Sequence, residues 1–408
     1  MLSAVAHGYG TWVESVVREI AAGAGVPDFV FRAEVINKGG GQREVGDSLL
    51  WVGRQLVVVS VKSRDPDVGP ETLERRDSWL TKNITKAVNQ INGTVRTLRA
   101  PPEGLALLSE RGVRIPWKPD LVDEISGIVV VEHSSPDGFV PDTSEASVPT
   151  VVLPMEDWLT IHERLWSTSA VVKYTSWRSR SGLPPLPFGS ERDVIACSHL
   201  AETDLPKATP FEIIPGAWNR LWDERPDVFF GADPDHRFAM VVDAMIAGAA
   251  EQDPLYTSLE NVDDYLHLIE FLDRIPPFVR VGIGERIMQK CVAVGENGGY
   301  DAMLAFPHND IPGLLVFIAD DSAREERARR LQGLTVARHT QLRDALGLDS
   351  LLTLGVATEP APAPGRSHDY VFIRGGVDLG DDGRQARDAA CGALPPAFID
   401  QVQKRLAR

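Results

Sequence analysis

One segment of this chain, residues 44–64, constrains the fold more tightly than any other. In its sequence, EVGDSLLWVGRQLVVVSVKSR, two apolar runs at residues 48–52 and 56–61 flank the pair Gly53-Arg54. A glycine at the first central position is typical of a type II′ turn, because that position needs a positive φ. The pattern therefore predicts a β-hairpin of two buried strands.

The predicted turn decides which residues face each other across the hairpin. With two residues in the turn, Val52 faces Gln55, and counting back along both strands places Asp47 opposite Ser60. Lys62 lies two residues further along and leaves the same face of the sheet. We expect the three side chains within the roughly 5–8 Å that separates opposite and diagonal neighbours. One additional residue in either strand would break this register.

Helical periodicity flanks the hairpin on both sides. Residues 10–23 place Val and Ile side chains on one face, and residues 77–100 carry an apolar stripe that Pro101 closes. Further strands are predicted at residues 29–36, 125–132 and 148–153. The order α-β-β-β-α-β-β predicts an α/β fold in which a mixed sheet is flanked by helices.

The length of the chain allows two domains, because 408 residues exceed what one hydrophobic core usually supports. We predict an N-terminal domain over residues 1–175, a linker rich in Ser, Pro, Gly and Arg over 176–190, and a C-terminal domain over 191–408. The C-terminal domain is also predicted to be α/β. Its predicted elements are strands at residues 314–318 and 352–357 and helices at residues 323–331 and 341–346.

The convergence of Asp47, Ser60 and Lys62 suits phosphodiester hydrolysis. A carboxylate can hold a hard divalent cation such as Mg²⁺, which keeps several of its waters. The cation polarises a phosphoryl oxygen and lowers the pKa of a bound water. A neighbouring lysine can orient the attacking water or neutralise developing negative charge. The pattern therefore predicts a metal-dependent nuclease with Mg²⁺ or Mn²⁺ as its cofactor.

The run from Asp47 through Ser60-Val61-Lys62 resembles the D…(D/E)-X-K signature of the PD-(D/E)XK, or restriction-endonuclease-like, nuclease superfamily. Glu14, in the pattern Gly-x-x-x-Glu, resembles the helix-borne glutamate that many members place near the metal. The resemblance implies metal ligation by Asp47, Glu14 and the backbone carbonyl of Val61. It also implies that Asp47, Lys62, Ser60 and Glu14 form the catalytic group. The fold that it implies for the N-terminal domain is restriction-endonuclease-like.

The resemblance extends over roughly residues 8–100 and more faintly to residue 175. The helix that carries Lys82, Lys86 and Gln90 is similar to the one that Mrr-like members use to turn Lys or Gln towards the substrate. Together with the Ser-x-Lys form of the motif, it resembles a family of uncharacterised bacterial restriction-endonuclease-like proteins.

Ser60 stands where the superfamily has the acidic residue of (D/E)-X-K. A hydroxyl is a neutral and weaker metal ligand than a carboxylate, so the site has one negative charge fewer. Glu14 or Glu44 could compensate. Two structural interpretations stay open: Asp47 and Lys62 could form a surface ion pair, and Glu14 could pair with Arg18 one helical turn away.

The formal net charge of −16 counts against promiscuous nucleic-acid binding, because a polyanion is repelled by the average field of such a molecule. A nucleic-acid site must therefore be a local basic patch. Residues 79–100 contain four basic residues and no acid, and on helical spacing Lys82, Lys86 and Gln90 share one face. We predict that this face contacts phosphate.

The predicted function is hydrolysis of DNA, rather than RNA, in genome defence or DNA processing. Two alternatives stay open. A nuclease fold without catalytic activity could bind nucleic acid or a protein partner, and the C-terminal domain could bind a partner or act as a sensor that gates the nuclease. Cys197, Cys291 and Cys391 lie too far apart for a disulfide framework or zinc site. We interpret these cysteines as reduced and structural, and therefore expect a cytoplasmic protein.

Overall fold

The computed structural model describes most of the chain and divides it into two compact units, Met1–Asp233 and Pro234–Arg408. Each unit combines helices with a β-sheet, so the predicted α/β class is confirmed. The described residues are 8–33, 36–38, 41–43, 46–66, 72–181, 183, 185–200, 217–224, 238–251, 262–307, 311–360, 368–377 and 392–406.

The first unit is built on a seven-stranded mixed sheet with the order β7-β6-β1-β4-β5-β8-β9. Its strands are β1 (Val30–Ala33), β4 (Ser48–Val52), β5 (Gln55–Ser63), β6 (Ala106–Ser109), β7 (Arg114–Pro116), β8 (Glu124–Glu132) and β9 (Thr150–Pro154). A separate two-stranded sheet is formed by β2 (Ile36–Lys38) and β3 (Gly41–Arg43). Its helices are α1 (Tyr9–Ala24), α2 (Leu73–Arg99), α3 (Met155–Leu165), α4 (Thr168–Arg180), α5 (Glu191–Leu200) and α6 (Ala217–Glu224).

The β4–β5 hairpin has the predicted register, with Val52 paired to Gln55 and Ser48 to Val59. Gly53 has a φ of 54°, and among the described residues only Trp166 is a non-glycine with positive φ. Arg54 therefore has a negative φ, as the second central residue of a type II′ turn does. The predicted turn and register are confirmed.

Helix α2 connects β5 to β8, which run parallel to each other. Thr72 caps the helix by accepting a hydrogen bond from the backbone N–H of Arg75. The predicted apolar stripe is buried, and the helix packs on β5 and β8. A Cβ atom on Gly127 of β8 would lie 3.2 Å from Ile91 of α2, so this glycine allows the helix and the sheet to approach closely.

Helix α1 covers the opposite face of the sheet from α2. Lys62 contacts α2, whereas Ser63, whose side chain leaves the other face, lies against Gly10 of α1. On this side the fully buried Trp158 of α3 donates its indole N–H to the carbonyl of Val17 at 3.2 Å. The hairpin is thus held between two helical layers.

The second unit has a four-stranded sheet with the order β10-β11-β12-β13, in which β11 and β12 are parallel. Its strands are β10 (Tyr300–Ala305), β11 (Gly313–Asp320), β12 (Leu352–Thr358) and β13 (His368–Arg374). Its helices are α7 (Ala239–Glu251), α8 (Val262–Asp273), α9 (Pro277–Asn297), α10 (Arg324–Leu346) and α11 (Pro396–Leu406).

Helix α10 is continuous where the sequence predicted two shorter helices, at residues 323–331 and 341–346. The intervening residues are mostly polar, and Gly333 weakens the helical pattern. Tertiary contacts compensate, because His339 of the intervening segment is buried and its Nδ1 lies 2.9 Å from the Thr353 hydroxyl of β12. Cys291 is buried and belongs to no disulfide bond, whereas the side chains of Cys197 and Cys391 are outside the described part of the chain.

The segment predicted as an inter-domain linker, residues 176–190, lies inside the first unit. Its first five residues belong to α4, and Arg178 is buried there with its guanidinium 3.0 Å from the carboxylate of Glu191. A sequence rich in serine and arginine predicts an exposed linker only if its charged side chains have no buried partner. Here buried Glu191 is the partner of Arg178. The division between the units follows Asp233 instead.

The described helices include none that combines the length and the apolar character needed to span a membrane.

We predict that Asp157 makes the stability of the protein depend on pH. This side chain is 2% exposed, and burial, together with the charge of Glu191, raises its pKa to about 7. The folded state therefore holds the proton more tightly than the unfolded state, so this contribution to stability is lost as the pH rises from about 4 to about 7. Between about pH 5 and pH 8 the expected loss is roughly 2–3 kcal/mol.

An Asp157→Asn variant stays neutral and should lack this loss, which thermal unfolding at the two pH values would measure. Asp120→Asn, at an exposed position, is the control. A wild-type protein whose melting temperature changes with pH just as the Asp157→Asn variant does would contradict the prediction.

Candidate active site

The carboxylate of Asp47 lies at the centre of a polar cluster at the open end of the β4–β5 hairpin. Its Oδ2 accepts hydrogen bonds from the backbone N–H of Val61 at 2.7 Å and from the Ser60 hydroxyl at 3.2 Å. Its Oδ1 accepts a hydrogen bond from the amide Nε2 of Gln90 at 2.6 Å. The hairpin register thus brings Asp47 and Ser60 together, as the sequence predicted.

The ammonium group of Lys62 belongs to the same cluster but does not touch Asp47. Its Nζ donates to the carbonyl of Val61 and to Oε1 of Gln90, both at 2.9 Å. Within the described residues no ion pair joins Lys62 to Asp47, so the alternative interpretation of these two residues as a simple ion pair is not supported. The Gln90 amide lies between the two charges instead.

The chemistry of its neighbours decides which way the Gln90 amide is turned. Lys62 can only donate hydrogen bonds, so the amide atom facing it must be the oxygen. The Asp47 carboxylate accepts hydrogen bonds when it is ionised, so the amide nitrogen faces it. The Ser60 hydroxyl lies 3.2 Å from the same amide oxygen. Gln90 therefore connects the Asp47 carboxylate, the Ser60 hydroxyl and the Lys62 ammonium group.

Solvent can reach the two charged members of the cluster. Asp47 and Lys62 are half-buried, whereas Ser60 is 1% exposed and Val61 is buried. The Ser60 hydroxyl therefore contacts neighbouring side chains of the protein and is not accessible to a ligand. The side chains that a ligand can approach are Asp47, Lys62 and the partly buried Gln90.

Helix α1 places Glu14 at the same end of the hairpin as this cluster, but on the opposite face of the sheet. Arg18, one turn after Glu14, donates to the backbone carbonyl of Asp47 at 3.3 Å. Gly10, one turn before Glu14, lies against Ser63, where its Cβ would be 3.6 Å from the hydroxyl. Because residues four apart share a helix face, Glu14 lies between these two contacts with the hairpin. Glu44, the other predicted substitute ligand, is outside the described residues.

The alternative role for Glu14, an ion pair with Arg18, is not seen in the described part of the chain. The guanidinium of Arg18 pairs with Glu110 instead, at 3.5 Å. Arg18 therefore connects α1 to the hairpin and to Glu110. This contact could not be predicted from residue spacing, because Glu110 is distant along the chain and comes close only in the folded sheet.

The predicted substrate-binding face of α2 divides into two parts. Gln90 turns into the cluster, whereas Lys86 and Lys82, respectively one and two turns nearer the start of the helix, are exposed. Their ammonium groups are free to meet a polyanion near the Asp47 end of the sheet. Arg96 and Arg99 are also exposed but lie at the other end of α2.

Glu132 and Tyr9 lie at the same sheet edge and were not singled out from the sequence. Glu132 is the register partner of Ser63, and the Tyr9 hydroxyl forms a hydrogen bond with it. Burial raises the pKa of the Glu132 carboxyl, and the nearby charge of Glu156 adds to the effect. Only the parallel pairing of β5 with β8, which a crossover helix decides, places Glu132 beside the hairpin.

The oxygen atoms of the cluster suit a hard divalent cation. Such a cation, as Mg²⁺, takes one or two carboxylates and keeps several waters, and the cluster offers the Asp47 carboxylate and the Val61 carbonyl. No group of three or more His, Cys, Asp or Glu side chains placed to hold a metal occurs among the described residues. These two oxygen ligands therefore fit a largely hydrated cation. Its binding requires that the hydrogen bonds from Gln90 to Asp47 and from Lys62 to the Val61 carbonyl are broken.

Comparison of the chain with protein-family models, curated proteins and solved structures found no match. Membership of the PD-(D/E)XK superfamily therefore stays a prediction that depends on Asp47, Val61 and Lys62. The order of elements around them, α1-β1-β4-β5-α2-β8, is the order that the sequence predicted. The two-stranded β2–β3 sheet and the β6–β7 pair are additions to that order.

We predict that Asp47 stabilises the fold as well as forming the site. Asp47→Ala would leave the Val61 N–H, the Ser60 hydroxyl and the Gln90 amide without their acceptor. Unsatisfied buried donors cost about 1–3 kcal/mol each, but water can enter the half-buried site and satisfy some of them, so we expect a loss of about 2 kcal/mol in the free energy of unfolding. Asp47→Asn keeps one acceptor oxygen and should lose less.

Urea-induced unfolding would measure both losses, with Asp120→Ala as an exposed control. An Asp47→Ala protein as stable as the wild type would show that the hydrogen bonds to this carboxylate contribute nothing.

Proposed function

We propose that this protein is a metal-dependent nuclease that hydrolyses phosphodiester bonds in DNA, in genome defence or DNA processing in the cytoplasm. The observation that carries the proposal is the cluster at the open end of the β4–β5 hairpin. There a carboxylate (Asp47), a backbone carbonyl (Val61) and an ammonium group (Lys62) converge within one hydrogen-bonded network. The fold and the element order are compatible with the PD-(D/E)XK superfamily, which the sequence motif resembles.

Each residue would have a distinct role in hydrolysis. A bound Mg²⁺ or Mn²⁺ ion would supply Lewis acidity and a water of lowered pKa. Asp47 and the Val61 carbonyl would hold the ion, with Glu14 assisting from α1. Ser60 would orient the Asp47 carboxylate through its hydrogen bond of 3.2 Å. Lys62 would orient the attacking water or neutralise the charge that develops on the phosphate.

The distribution of charge gives the substrate a direction of approach. The net charge of −16 repels DNA from most of the molecule. The exposed Lys82 and Lys86 lie on the helix that also carries Gln90, so they would receive the DNA backbone next to the catalytic cluster. The second unit would then contact a protein partner or another part of the substrate.

We predict that Asp47→Asn and Lys62→Met abolish Mg²⁺-dependent cleavage of plasmid DNA. The first variant removes the charge that holds the cation, and the second removes the ammonium group, while both keep the shape of the side chain. A cleavage assay over a series of divalent metals would measure the loss. We expect a decrease of at least about 100-fold for each variant, the size typical of removing one electrostatic contribution from an active site.

Asp120→Asn and Lys118→Met make the same chemical changes at exposed positions and serve as matched controls. Wild-type cleavage rates in the Asp47→Asn and Lys62→Met variants would remove the proposal.

We also predict that Lys82→Gln combined with Lys86→Gln weakens DNA binding and its dependence on salt. Each lost phosphate contact lowers the slope of log K against log salt concentration by about 0.9, so the double variant should lower it by about 2. Arg96→Gln combined with Arg99→Gln removes the same charge from the other end of α2 and is the control. Equal effects of the two double variants would show that only net charge matters.

One observation favours the alternative function, a nuclease fold that binds without catalysis. Both oxygens of Asp47 already accept hydrogen bonds from the protein, and Ser60 occupies the place of an acidic residue. Such a module would bind nucleic acid or a protein partner. In the same metal series it would show no cleavage with any metal and no Mn²⁺ binding that depends on Asp47.

A further inference from the structure

The separation of Asp47 from Lys62 requires an explanation. The two residues leave the same face of the hairpin as diagonal neighbours, a distance at which long side chains interact. Both are half-buried, so their attraction is less screened than on an open surface. Nevertheless, the described contacts of the Lys62 ammonium go to Val61 and Gln90, and none goes to the carboxylate.

The Gln90 amide accounts for this separation. It donates from Nε2 to Asp47 at 2.6 Å and accepts at Oε1 from Lys62 at 2.9 Å. The neutral Gln90 amide thus contacts both charged groups. Its N–H faces the carboxylate, and its carbonyl oxygen faces the ammonium group. The backbone of Gln90 is held in place because its neighbour Ile91 is fully buried against the sheet.

The presence of an amide in this place matters for the carboxylate. An ammonium group paired directly with Asp47 would cancel its charge and compete with any cation. An amide donor carries no net charge, so a divalent cation displaces it at a smaller electrostatic cost. With Gln90 in position, Asp47 keeps its negative charge available although a lysine lies within the same network.

We propose that Gln90 is a positioning residue that prevents Lys62 from pairing with Asp47 and so keeps the carboxylate available to a divalent cation. This inference rests on the proposed function, because it assumes that a cation binds at Asp47. The inference places Gln90 inside the cluster, whereas the sequence predicted that Gln90 contacts the substrate.

The test is Mn²⁺ binding, measured by calorimetry without substrate. Gln90→Leu keeps the approximate size of the side chain but removes both hydrogen bonds. Lys62 should then move onto Asp47, and the affinity for Mn²⁺ should fall about tenfold. In the double variant with Lys62→Met no ammonium group remains to pair with Asp47, so the affinity should return to that of Lys62→Met alone.

Two further measurements support the comparison. Asn89→Leu introduces the same side chain at the exposed neighbouring position of α2 and is the control. A crystal structure of metal-free Gln90→Leu should show the Lys62 ammonium within ion-pair distance of the Asp47 carboxylate. If Gln90→Leu does not fold, as its thermal unfolding would show, Gln90→Met replaces it, because this flexible side chain has a similar length.

Each other outcome overturns the inference. Wild-type affinity in Gln90→Leu would mean that Gln90 does not protect the carboxylate. A double variant that binds as weakly as Gln90→Leu would mean that Gln90 is itself a metal ligand or only a structural residue. No Mn²⁺ binding by the wild type would overturn the proposed metal-dependent function, and this inference with it. The first two outcomes leave that function intact.

Discussion

The register of the β4–β5 hairpin is the constraint on which the candidate site depends. The two-residue turn at Gly53-Arg54 pairs Val52 with Gln55 and, further along, brings Asp47 beside Ser60 and Val61. A shift of one residue would send alternate side chains to the other face of the sheet. Because both strands are buried on both faces, the shift would also exchange the side chains that pack against α1 for those that pack against α2.

Helix α2 contributes the remaining side chain of the cluster, Gln90. Its apolar stripe packs on β5 and β8, and the same packing carries Gln90 to the cluster and leaves Lys82 and Lys86 exposed. Asp47 consequently has two roles, as a hydrogen-bond acceptor that joins the hairpin to α2 and as the proposed ligand of a cation. Stability and function are therefore expected to change together when this residue is altered.

Much of the local structure could be predicted because it depends on neighbours in sequence. The turn, the two strands and the faces of α1 and α2 follow from residue spacing, and their boundaries differ only slightly from those predicted. The continuity of α10 and the packed state of residues 176–180 could not be predicted in this way. The first depends on the packing of α10 against β12, and the second on buried Arg178, whose carboxylate partner Glu191 belongs to α5.

The hairpin register, and with it the contact between Asp47 and Ser60, follows from residue spacing alone, because one two-residue turn fixes which side chains of two pleated strands face each other. The position of Gln90 between Asp47 and Lys62, and that of Glu132 at the same end of the sheet, could be seen only in the folded protein. These contacts join residues far apart in the chain, and the way α2 crosses the sheet, rather than any local spacing, brings them together.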